Sequence, residues 1–226
     1  NYAILFLCKA QCICKLKFIE AKIENEKYFH NVLCLSEAKG MDIKMEKECL
    51  HQNKNMKNAV VFSSKTGNTK QLADEIRNVL SEEIIEYFGS PETAPLDADC
   101  YYVGFWTDKG QCNAEIGTFL KKLKGKEVFL FGTAGFGGDP EYFDKILKKV
   151  EKNLDRSNIL RGSYMCQGKM PNSVRERYVN MKNAPLPVPN IDAMIDNFDR
   201  AVSHPDEQDL EQFRKAVLAS DNYSVI

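Results

Sequence analysis

The chain has 226 residues, 43% of them hydrophobic and 28% charged, with a formal net charge of −1. That length fits one ordinary domain, with or without an appendage. A balance so near neutral makes no global electrostatic case for nucleic acid or for an anionic membrane surface, and no run approaches the roughly 20 apolar residues that span a bilayer.

Residues 1–58 differ from the remainder. They carry ten lysines against seven acidic residues and five of the eight cysteines: Cys8, Cys12, Cys14, Cys34 and Cys49. Leu16, Ile19 and Ile23 approach helical spacing, but no strand–turn punctuation follows. The apolar run 2–7 stops at Lys9 with no small-residue cleavage site, so no signal peptide is expected. Cys8, Cys12 and Cys14, with His30 and His51 further on, match no standard zinc or iron–sulfur spacing, so no metal site is expected. Scattered cysteines in a chain of this size suit a reducing cytoplasm better than a secreted scaffold. Residues 1–55 are read as an N-terminal extension, and residues 56–226 as an independent domain.

From Met56 onward strands and helices alternate. The apolar run 59–63 predicts a short buried strand. A helix follows over 68–80, with Leu72, Ala73, Ile76, Val79 and Leu80 on one face. Residues 83–87 read as a second strand and 100–105 as a third, separated by Gly89, Pro91 and Pro95. Ile116, Phe119, Leu120 and Leu123 place a helix over 114–123. A fourth strand at 127–131 ends at Gly132. A helix over 142–154 turns Phe143, Ile146, Leu147 and Val150 inward, and 159–166 is a fifth strand. Continuously apolar strands alternating with helices predict a doubly wound α/β domain with a five-stranded parallel sheet. Three further helices are expected in the tail, over 174–181, 192–202 and 206–218, after a break at Pro185, Pro187 and Pro189.

A sheet of this class binds ligands outside the carboxyl ends of its strands. The loop SSKTGNTK, residues 63–70, lies at such an end. The N–H groups and dipole of the following helix favour an anion, Gly67 permits a tight turn, and Ser64, Thr66 and Thr69 add hydroxyls. Together these suit a phosphate monoester. Hydroxyl and amide residues also cap helices without any ligand, but five of them around one glycine exceed that need. The glycine spacing of a P-loop or a dinucleotide fingerprint is absent.

Two more loops face the same edge. GFWTDKGQCN, residues 104–113, holds Trp106, which suits stacking on a flat ring or capping the core. Lys109 and Asp108 stand beside it, and a solvated surface position is the plain reading of the lysine. FGTAGFGGDPEYF, residues 131–143, is glycine-rich and holds Phe136 and Tyr142; its glycines suit a closely approaching backbone or simply a long turn before a helix. Cys166 reads as a small core residue rather than a redox thiol. No Ser-His-Asp, metal or paired-acid constellation stands out.

Ser64-Lys65-Thr66-Gly67-Asn68-Thr69 matches the phosphate-loop pattern [ST]-x-T-G-x-T of the flavodoxins at each defined position, and the strand and helix order over 59–170 resembles that family. The resemblance implies FMN and the strand order 2-1-3-4-5, to which the tail adds extra C-terminal helices. It implies a phosphate held by Ser64, Lys65, Thr66, Gly67, Asn68 and Thr69, of which Lys65 is expected to matter least. The ring would lie between Trp106, Thr107 and Gly110 on one loop and Thr133, Ala134, Gly135, Phe136 and Gly137 on the other. The loop at 104–113 departs from the commoner flavodoxin form. The words MCQGKMP, 165–171, and SHPDEQDL, 203–210, resemble a bacterial flavodoxin-like subgroup that includes electron-transfer partners of gut bacterial bilirubin reductases. The implied function is electron transfer between a reductase and an acceptor enzyme. An FMN-dependent NAD(P)H oxidoreductase acting on a small substrate is the alternative, and a response-regulator-like module is disfavoured by the missing early acidic cluster.

Overall fold

Val60, Val61 and Ala59, all fully buried, form the middle of β1 (Asn58–Phe62), a strand with no solvent face. A strand buried on both sides must be central in a sheet covered twice, and β1 pairs in parallel with β2 (Ile85–Gly89) and with β3 (Cys100–Asp108). β5 (Glu127–Ala134) joins β3, and β6 (Ile159–Gln167) joins β5, both in parallel. The order β2-β1-β3-β5-β6 is the doubly wound arrangement expected for the five parallel strands. The computed structural model describes residues 56–80, 82–137, 140–186 and 188–221, all within a unit spanning 51–226. The expected extension 1–55, with its cysteines and its two histidines, lies outside the described residues, as do Gly138 and Asp139.

Alternation along the strands divides the core in two. Ala59 and Val61, Tyr101, Val103 and Phe105, and Val128 and Leu130 point to one face, where α2 (Ala114–Leu120) adds Ile116 and Phe119 and α3 (Pro140–Glu151) adds Ile146 and Val150. Val60, Tyr102, Phe129 and Phe131 point to the other, under Leu72 and Ile76 of α1 (Asn68–Val79). That face is completed by Leu210, Phe213 and Val217 of α6 (Glu207–Asp221), so this last helix belongs to the α/β layers. The additional pair is α4 (Asn172–Lys182) and α5 (Ile191–Ala201), which share a small cluster of Tyr178, Ile191 and Phe198. Among the described residues no helix is long and apolar enough to cross a membrane.

Several element ends differ from the sequence expectation: β5 runs through Gly132 to Ala134, and α6 extends three residues past 218. The second strand begins two residues later, because Glu82–Ile84 forms a 3-10 turn. The third strand runs on to Asp108 and turns back into β4 (Gln111–Cys112), an antiparallel arm. The turn has Lys109 at φ 49° and Gly110 at φ 75°. Two consecutive left-handed residues are what a two-residue hairpin needs to match strand twist, and Lys at the first position hides the signal.

α6 opens with a reciprocal cap. Asp206 Oδ1 accepts the Asp209 N–H, and Asp209 Oδ2 accepts the Asp206 N–H, each at 2.9 Å. This closes the exposed donors of the first turn. His204 Nδ1 sits 2.6 Å from Asp209 Oδ2, so the segment SHPDEQDL is held as one structural unit.

Candidate functional site

All five parallel strands place their carboxyl ends at one edge, and four loops meet there. After β1, the ladder extends one residue, the Ser63 N–H donating to Gly104 O at 3.0 Å. The chain then turns at Gly67, which has φ 88° and ψ −14° and caps α1 with no side-chain hydrogen bond. A Cβ there would have open space, so the glycine is required by the left-handed backbone and not by crowding. The first helical hydrogen bond runs from the Gln71 N–H to Gly67 O, and the Lys70 N–H donates to Ser64 Oγ at 3.1 Å. The N–H groups of Asn68 and Thr69 meet no acceptor among the described residues, as at any helix start, and such N–H groups suit an anion.

The six residues of the loop divide into two sets. Ser64, Lys65, Thr66 and Gly67 are partly or fully exposed. Ser64 Oγ accepts one bond and keeps its own proton to donate. Asn68 and Thr69 are buried and tie the loop to its neighbours. Thr69 Oγ1 donates to Phe105 O at 3.3 Å and lies 3.1 Å from Thr133 Oγ1. The Thr69 hydroxyl therefore joins the β1, β3 and β5 ends. Asn68 Nδ2 donates to Lys169 O at 2.9 Å, in the loop after β6, while its Oδ1 is buried without a partner. A Cβ at Gly168 would come within 2.5 Å of Asn68 Nδ2, so the close approach of the two loops needs that glycine.

At the end of β3, Trp106 is half-buried and the Lys65 ammonium lies 5.0 Å from its ring centroid. Lys65, expected to be the idle position of its loop, thus bridges to the aromatic one. Thr107 Oγ1 is buried and unpartnered. Gly110 is at the tip of the β3–β4 arm, where a Cβ would stand 3.6 Å from the Lys149 ammonium of α3.

At the end of β5, Thr133 and Ala134 are buried and Phe136 is exposed. Tyr142 belongs to α3 and packs beside Phe143. Gly135 O accepts from Gln167 Nε2 at 3.1 Å and from Asn197 Nδ2 at 3.0 Å. A Cβ at Gly135 would meet Met170 at 2.5 Å, and one at Gly137 would meet Gln167 at 2.8 Å. Gln167, Met170 and Asn197 were not among the residues expected here. Asn197 carried one signal: it stands next to Phe198 in a helix whose other inward positions are apolar.

Cys166, at the end of β6, is a buried thiol. Burial first, and then the carboxylates of Asp209 and Asp206, push it well above the usual thiol range. It therefore stays protonated, as a core residue.

Four buried side-chain polar atoms lack a hydrogen-bond partner among the described residues: Asn68 Oδ1, Thr107 Oγ1, Asn113 Oδ1 and Glu127 Oε2. The last lies 3.1 Å from Arg161 Nε at the opposite edge, near enough for an ion pair but not aligned as a hydrogen bond. The other three sit at the loop edge. Buried polar atoms are ordinarily satisfied, so their concentration here fits a site built to receive a polar ligand. The side chains that reach this edge include hydroxyls, amides, an indole and the Lys65 ammonium. They can bind and orient a flat, phosphorylated molecule between a helix start and two loops.

Residues 59–218 match the family model described as a flavodoxin domain. The chain is 41% identical over 184 residues to the flavodoxin-like domain-containing protein BilS of Clostridium symbiosum, covering 73% of this chain and 96% of that protein. It is 31% identical over 163 residues to the protein of the same name from Clostridioides difficile, covering 69% and 90%. Among solved structures, oxidised flavodoxin 2 of Bacillus cereus aligns with 74% of this chain and 99% of its own, at 18% identity and a TM-score of 0.46.

Proposed function

The chain belongs to the flavodoxin family, and we propose that it carries electrons on FMN between a reductase and an acceptor enzyme. Its cofactor is FMN, and FMN supplies one- and two-electron transfer when bound. The observation that carries the reading is the meeting of the Gly67-capped start of α1 with the β3 and β5 loops at one edge. The residues fit the cofactor. Ser64 and Thr66, with the Asn68 and Thr69 N–H groups, would hold the phosphate at the positive end of the helix dipole. Trp106 would pack on the ring, and Thr107 Oγ1 offers a buried hydroxyl that lacks a partner.

A carrier needs the protein to bind, orient and shield the cofactor, and to leave one edge accessible. The buried hydroxyl pair Thr69–Thr133 fixes the spacing of the two loops, and the exposed Phe136 lies at the rim. The amides and hydroxyls at this edge set the geometry of the cofactor, and the redox chemistry itself is the flavin's.

The test is stopped-flow reduction of the FMN-loaded chain. With NADPH or NADH alone the flavin should stay oxidised. With a flavodoxin reductase added it should be reduced, and then reoxidised by cytochrome c as an artificial acceptor. Rapid reduction by the nicotinamide alone would replace the carrier with an FMN-dependent oxidoreductase.

A further inference from the structure

We propose that Gln167 and Asn197 are positioning residues for the cofactor, aiming the Phe136 peptide N–H into the flavin site through the Gly135 carbonyl. The proposal rests on the FMN reading and goes beyond it, because it gives the additional helix pair a role in binding.

The geometry is a closed triangle. Gly135 O accepts from Gln167 Nε2 at 3.1 Å and from Asn197 Nδ2 at 3.0 Å, and Gln167 Nε2 donates its second proton to Asn197 Oδ1 at 3.2 Å. Gln167 and Asn197 are 8% and 5% exposed, so the three bonds are shielded from competing water. Two donors occupy both lone pairs of one carbonyl, which fixes the orientation of the peptide that joins Gly135 to Phe136. That peptide is trans, since the cis bond among the described residues is His204–Pro205. In a trans peptide the N–H points opposite to the C=O. Holding the carbonyl toward α5 therefore turns the Phe136 N–H away from it, and no acceptor among the described residues meets that N–H. There it would donate to a carbonyl of the flavin ring.

The loop has little freedom to relax. Met170 fills the space beside Gly135, and Gln167 fills the space beside Gly137, each leaving no room for a Cβ. The Asn197 side chain comes from a helix 62 residues further along the chain. Buried amides inside an otherwise apolar helix face are costly unless their hydrogen bonds are specific. Here every polar atom of the Asn197 side chain is directed at the loop or at the residue that braces it.

FMN and riboflavin provide the test, because they share the ring and differ in the phosphate. Affinities would be measured by quenching of flavin fluorescence, well below the melting temperature, for the full chain and for Asn197→Ala. The variant should lose about tenfold in affinity for both ligands, the factor equivalent to about one net hydrogen bond. The fine structure of the visible flavin band should blur with it, since a loosened loop changes the polarity at the ring. Asp199→Ala, on the same helix, breaks its exposed pair with Arg175 and should leave both affinities within twofold. Should Asn197→Ala not fold, Gln167→Met removes the other donor to the same carbonyl and is read in the same way. Unchanged affinities in a variant of a flavin-binding chain, or a loss confined to FMN, would overturn the positioning role alone. A wild-type chain that takes up neither flavin would overturn the FMN reading, and this inference with it.

Discussion

The hydroxyl oxygens of Thr69 and Thr133 lie 3.1 Å apart, fully enclosed, and join the start of α1 to the end of β5. Because Thr69 also donates its proton to Phe105 O at 3.3 Å, Thr133 is the donor within the pair. The two residues are therefore not equivalent. Thr69→Val would orphan both the Thr133 hydroxyl and one lone pair of Phe105 O. Thr133→Val would leave Thr69 bonded. Leaving a buried polar group unsatisfied costs about 1–3 kcal/mol, so Thr69→Val should destabilise the domain by about that amount and Thr133→Val by less. The double variant should cost no more than Thr69→Val alone. Urea unfolding of the three variants measures the difference, and strict additivity would contradict the pair.

Gly67 carries the left-handed turn with open space around its Cα. The cost of a side chain is therefore conformational, about 1–2 kcal/mol for a residue other than glycine in this region. Gly67→Ala should lower stability by about that much. It should also weaken FMN more than riboflavin, because the turn presents the N–H groups of the helix start. Gly67→Asn, which tolerates the left-handed region better, should fall between. Equal losses for both flavins would show that the turn does not face the phosphate.

Much of this edge is legible in the sequence, and what escapes does so for identifiable reasons. The strand–loop–helix at 58–79 shows itself because a continuously apolar strand meets a helical stripe across a hydroxyl-rich loop. The inward turn of the Thr69 hydroxyl does not, because it depends on the position of Phe105 O and Thr133, which only the tertiary register supplies. The β3–β4 arm escapes because Lys109 occupies a left-handed position usually marked by Asn or Asp. Asn197 escapes because its partner, Gly135 O, is distant in sequence and is a backbone atom with no side-chain signature. The last helix is legible as a helix, but its role in completing the sheet layer depends on Phe213 packing on Phe131, with centroids 5.4 Å apart.

Trp106 is the single tryptophan of the chain, and the Lys65 ammonium stands over its ring. Lys65→Met should change stability by no more than about 1 kcal/mol, the range of an exposed cation–π contact. It should nevertheless alter the position or intensity of the intrinsic fluorescence. An emission spectrum identical to that of the unmodified chain would mean that Lys65 spends little time on the indole.

Stability should decline on the alkaline side. Burial raises Cys166 well above its ordinary value of 9.0 and raises Tyr101 and Tyr142 above 10.0. The folded state then keeps protons that the unfolded state releases, so stability is present below about pH 9 and falls as pH rises beyond it. Thermal midpoints between pH 8 and pH 11 should decline. Cys166→Ala should flatten the beginning of that decline, and a slope unchanged by the substitution would place the titration elsewhere.

The most direct measurement is a fluorescence titration of FMN with the purified chain. Flavin fluorescence should be quenched saturably and at an equimolar ratio, with loss of Trp106 emission as the ring approaches the indole, and riboflavin should bind more weakly because it lacks the phosphate that α1 receives. FMN fluorescence that stays unchanged at any protein concentration, with Trp106 emission undisturbed, would contradict FMN binding at this edge.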